Sequence, residues 1–162
     1  MQTEAKKPFR KELKIAMWCV VAIYMGIIFY FSSRTADESS LQSGFILEFL
    51  TKLFGDGVFT TFIVRKGAHF LEYMGLGFLF SVAFYVQFGK LKFVFPVLGA
   101  SLYAVTDEVH QLFVEGRSCQ VSDWALDSVA GILGMVAFLI IFAVVTAIMN
   151  RKSKKAFDSD KE

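Results

Sequence analysis

Seven side chains able to carry a proton or ligate a metal stand at the edges of apolar runs: His69, Glu72, Asp107, Glu108, His110, Asp123 and Asp127. Three basic side chains, Arg65, Lys66 and Arg117, stand among them. Ionisable groups at the margin of a lipid-soluble segment cost free energy, so their presence there needs a reason. Carboxylates and imidazoles can act as general bases and acids, which makes His69, Glu72, Asp107, Glu108, His110 and Asp127 catalytic candidates. His69, Glu72, Asp107, Asp123 and Asp127 could instead ligate a divalent metal ion, with zinc, manganese or iron suiting such donors. Their spacing matches no standard metal motif. Arg65, Lys66 and Arg117 could hold an anion, and a guanidinium grips two oxygens of one phosphate through its planar fork.

Spacing sorts these residues into three sets. Lys66, His69, Glu72/Tyr73 and Leu76 are three or four residues apart, hence on one face of a helix. Tyr103, Asp107 and His110/Gln111 share a face of another. Asp123, Asp127, Gly131 and Gly134 form a third stripe, acidic at its start and then small, which permits close helix approach. The bland alternative is that these groups merely face water at helix ends. Asp123 would then be a helix cap, Arg117 would pair with Asp123, and Lys66 with a nearby carboxylate. His69, Glu72 and Asp127 fit that alternative least, because they lie a turn or more inside their helices.

The elements that must position these sets are apolar. The chain has 162 residues, 55% of them hydrophobic, with 19 Phe and a mean hydropathy of +0.52. Soluble domains are nearer about 45–50% apolar. This is the composition of an integral membrane protein of one domain. The net charge is only +2, but Lys6, Lys7, Arg10, Lys11 and Lys14 crowd the start, and Arg151, Lys152, Lys154 and Lys155 crowd the end. Basic clusters flanking apolar spans report membrane orientation rather than nucleic-acid binding. Cys19 and Cys119 fall on opposite sides of the resulting topology, too far apart for a disulfide.

Taken in order, residues 1–14 form a basic tail, and residues 15–31 a first span, retained because no small-residue cleavage pattern follows it. Thr35 and Glu38 fit a capping box that opens a new helix. In it Leu41, Phe45, Ile46, Phe49, Leu50, Leu53 and Phe54 recur on one stripe. That segment is too broken to span, and reads as a short amphipathic interfacial helix in the first outer loop, apolar face down. Gly55-Asp56-Gly57 ends it. Residues 67–88, 93–109 and 123–149 read as three further spans, with Gly116 the turn of the loop between the last two. Residues 150–162 read as a charged, disordered tail. The expected fold is thus an all-α membrane protein with four transmembrane helices in a domain over residues 15–149. The positive-inside rule places both termini and Lys90/Lys92 in the cytoplasm, and all three polar sets at one outer level. Two helix N-termini point their positive ends outward at that level.

These residues resemble the VanZ-like family. The resemblance rests on Lys66-x-x-His69-Phe-x-Glu72-Tyr73, Thr106-Asp107-Glu108-x-His110-Gln111-x-Phe113, Gly116-Arg117 and Asp123-x-x-x-Asp127-x-x-x-Gly131, with Ser32-Ser33 after the first span. It runs from the first span to the fourth. Glu115 departs from the Pro that family often carries before Gly-Arg. The family is named for resistance to the glycopeptide teicoplanin. The resemblance therefore implies a multi-pass protein of the bacterial plasma membrane that affects susceptibility to envelope antibiotics, and implies no settled reaction. The expected partners are membrane lipids or a lipid-linked envelope precursor, not nucleic acid. The oligomeric state is not legible in the sequence. A proton-coupled carrier would want ionisable groups near the midplane, and the cytoplasmic halves of the spans carry almost none.

Overall fold

The computed structural model describes residues 9–159, so Lys6 and Lys7 lie outside the described residues. Five helices and no strand form among them: α1 (Lys11–Ser32), α2 (Ala36–Phe54), α3 (Thr61–Phe88), α4 (Val94–Gln111) and α5 (Val121–Ser159). α1, α3 and α5 are long and apolar enough to cross a membrane. α4 has 18 residues, and its last two turns carry Asp107, Glu108, His110 and Gln111, so it is not among those three.

The local reasons for these elements are visible at their ends. Thr35 Oγ1 accepts from Glu38 N–H at 3.3 Å, and Glu38 Oε2 accepts from Thr35 N–H at 3.2 Å, so the capping box that opens α2 is closed on both sides. Thr60 Oγ1 accepts from Ile63 N–H and opens α3 nearly two turns before the apolar run at residue 67. α5 spans 39 residues, or about 58 Å at about 1.5 Å per residue, well beyond a hydrocarbon core of about 30 Å. Over residues 150–159 the charged end does not form the disordered tail that its composition predicts, and residues 160–162 of that tail lie outside the described residues. Residues 150–159 continue α5, because Arg, Lys and Ala are good helix formers and an existing helix extends at low cost.

α3 is the central element, packed against each of the other four helices. Its contact with α5 is backbone on backbone. A Cβ on Gly77 would collide with the Gly131 carbonyl, and one on Gly134 with the Met74 carbonyl. Inside lipid the hydrophobic effect between helices is largely absent, so such van der Waals contact is what holds them together. Tyr73, Leu76, Ala100, Ala104 and Ala130 fill this region. The far end of the bundle is closed by aromatic edges. Trp18 meets Phe84 at 5.3 Å, and Tyr85 meets Phe142 at 4.9 Å. Each such pair contributes about 0.5–1.5 kcal/mol.

α2 packs on α3 through small polar residues. Ser39 and Ser43 are buried, whereas Leu41, Phe45, Phe49 and Leu53 point away from the protein, Phe45 with 76% of its surface exposed. The stripe read from the sequence is real, and it turns outward rather than into the bundle. Cys19 and Cys119 are both free and exposed.

Candidate functional site

The three polar sets converge at one end of the bundle. Helical spacing in α3 carries Lys66, His69, Glu72 and Tyr73 along the face that meets α4 and α5. α4 brings Asp107, Glu108 and Gln111, all buried, and α5 brings Asp127, 3% exposed. The α4–α5 loop closes over them. Gly116 adopts φ +73°, open to an L side chain only at a cost, and its Cα faces Ala36 of α2 so closely that a Cβ would lie 2.8 Å from that methyl group. Ala36 N–H donates to Glu115 O at 3.2 Å. The Arg117 Nε–H donates to Arg34 O at 3.3 Å. The two loops are thus stitched together, and α2 is held beside the site.

Asp107 lies at the centre. It is close enough to act electrostatically on His69, Glu72, Tyr73, Tyr103, Glu108, Arg117 and Asp127. Gln111 Nε2 donates to Asp107 Oδ2 at 3.3 Å and to Ser32 Oγ at 3.1 Å, which ties the carboxylate to the end of α1. The Tyr73 hydroxyl, 0% exposed, interacts with the Asp107 carboxyl just outside strict hydrogen-bond geometry, and neither Asp107 Oδ1 nor that hydroxyl has another protein partner. His69 Nδ1 stands 3.7 Å from Glu72 Oε2, an ion-pair distance rather than a hydrogen bond.

The other expected site residues have definite partners. Lys66 Nζ is ion-paired with Asp123, so Asp123 is not a helix cap, and the pairing foreseen between Arg117 and Asp123 does not form. Asp123 lies inside the first turn of α5, where a carboxylate also complements the helix dipole. Glu108 Oε2 accepts from Gln120 N–H at 2.7 Å and fixes the entry to α5. His110 does not join the site. Its Nε2 lies 3.1 Å from Ser33 Oγ, and its ring packs on Phe29 at 4.3 Å, on the α1 side. The residue beside it, Gln111, takes the inward position.

Two cavities meet here. One of about 70 Å³ is lined by Arg65, Lys66, His69, Glu108, Gln111, Arg117, Asp123 and Asp127, among others. Another of about 190 Å³ lies under α2, lined by Phe31, Ser39, Ser43, Ile46, Ala68 and Glu72, and it shares Arg65, His69 and Arg117 with the first. In the smaller one the charges balance in number, three basic against three acidic. Lys66 is already paired and Glu108 already bonded. Arg65 and Arg117 form no ion pair among the described residues. Burial, and then the Arg65 charge beside it, push the Arg117 guanidinium below its ordinary value. Asp107, Glu108 and Asp123 act on Arg117 from beyond ion-pair distance, so neither guanidinium is held by a direct carboxylate contact.

The residues do not fit a metal ion. Among the described residues no three His, Cys, Asp or Glu side chains converge as a metal requires. Asp123 is turned to Lys66, and Glu108 to the backbone. Sequence periodicity missed Ser32 and Arg34, which bond across the chain to Gln111 and Arg117, and Ser39 and Ser43, which are buried at the wall of a cavity. Ser32-Ser33 was visible only as a pair ending the first span.

Compared with known proteins, residues 17–143 match the family model described as VanZ/LLP1. No curated protein and no solved structure matches the chain.

Proposed function

The chain belongs to the VanZ/LLP1 family, and from that premise we propose that it is a bacterial plasma-membrane protein that lowers susceptibility to teicoplanin-type glycopeptides by binding an anionic lipid or lipid-linked envelope component. The observation that carries this reading is the pair Arg65 and Arg117, which line the polar cavity together, neither held in an ion pair among the described residues. The chain crosses the membrane four times, α4 being the third span. Its 18 residues cover about 27 Å, close to a hydrocarbon core of about 30 Å. The basic clusters at both ends support a topology with both termini in the cytoplasm and the site at the outer level. α2 lies on the outer membrane surface, since its Leu41, Phe45, Phe49 and Leu53 face outward.

A second reading, chemical alteration of the bound component, is favoured by the buried Asp107 and Tyr73 side chains, which interact with one another close to His69 and Glu72. Such groups can take or give a proton. Expression of the wild-type chain in a sensitive host, compared with Arg117→Lys and Asp107→Asn at equal membrane levels, tests the proposal. Arg117→Lys should lose most of the protection although charge is kept, because Lys lacks the fork. Asp107→Asn should lose all of it if the second reading holds, and little if binding alone matters. Full protection with Arg117→Lys would remove the guanidinium from the site.

A further inference from the structure

We propose that the ligand is a single amphiphile bound in two parts, with a phosphate-type head between Arg65 and Arg117 and a hydrocarbon chain in the larger cavity under α2. The inference rests on the anionic-lipid reading above, and adds where the chain lies and how it enters.

The two cavities share Arg65, His69 and Arg117, so a molecule held by both guanidiniums already reaches the second cavity. The apolar side of that cavity is Phe31 from the end of α1, Ile46 of α2 and Ala68 of α3. Phe31 and Ile46 are also exposed, so the cavity opens sideways between α1 and α2, where an apolar stripe faces out. α2 turns Ser39 and Ser43 inward at this point, and their small side chains leave the space that larger ones would fill. A lipid can therefore pass from the surrounding hydrocarbon to the guanidiniums without crossing water. A free phosphate would need only the smaller cavity. Transfer of a chain from lipid into an apolar cavity gains little solvation energy, so the chain is held by shape and contact, and filling the cavity should displace it.

The test uses the full chain in non-ionic detergent with two probes, inorganic phosphate and decanoyl lysophosphatidate. Each is measured on wild type, Ala68→Trp, Ile46→Trp and the double variant Arg65→Gln/Arg117→Gln. Ala68→Trp should weaken lysophosphatidate binding about tenfold, the size of a modest overpacking penalty, and leave phosphate binding unchanged. Unchanged phosphate binding also shows that the variant is folded. If Ala68→Trp loses both probes, Ile46→Trp, altered on the exposed side of α2, decides by the same criterion. Lysophosphatidate binding as tight in the Trp variants as in wild type overturns the chain site and leaves the anion reading intact. Failure of wild type to bind either probe, or full binding of both by the double variant, overturns the anion reading itself.

Discussion

Lys66 of α3 and Asp123 of α5 form an ion pair inside the polar cavity, each with about one fifth of its side chain exposed. The pair ties the two helices together. Its strength should lie between that of a surface pair and that of a buried one, about 1–3 kcal/mol for loss of one partner. Lys66→Asp or Asp123→Lys alone should lower the thermal midpoint of the purified protein. The exchanged double variant should recover most of the loss. A double variant no better than the singles would mean that the two charges are not coupled.

Glycine contacts between α3 and α5 give a second expectation. Gly134→Leu drives a side chain into the Met74 carbonyl and the Phe78 amide, neither of which can move without shifting a helix. It should cost at least about 1–3 kcal/mol and reduce the monodisperse fraction on size exclusion. Gly44→Ala in α2 has nothing within 4 Å and should be close to neutral. Equal behaviour of the two would argue that α3 and α5 do not touch there.

The face of α3 was readable from the 3.6-residue period alone, and Lys66, His69, Glu72 and Tyr73 do point one way. Which cation would stay available was not readable. Arg65 and Lys66 are adjacent, and the choice depends on where Asp123 comes to rest, a contact across 57 positions of chain. The same holds for His110 and Gln111. Either could have faced inward, and Ser33 and Phe29 of α1 decide it by capturing His110. The period of α2 showed an apolar stripe but not that its serines would be the packed side, because no local rule says which face a helix turns to lipid.

Orientation supplies a third expectation. A cytoplasm-active reporter fused after residue 159 should give signal, the outcome that the positive-inside rule expects from the basic residues 151–155. An active exported-type reporter at that point, with a silent cytoplasmic one, would put the polar cavity on the cytoplasmic side.

The claim that Arg65 and Arg117 hold an anionic lipid is tested most directly by native mass spectrometry. Wild type, Lys66→Gln and the double variant Arg65→Gln/Arg117→Gln would be purified in the same mild detergent. Wild type and Lys66→Gln should each carry an adduct with the mass of an anionic lipid, and the double variant should emerge without it. Equal lipid retention by wild type and the double variant would contradict the account.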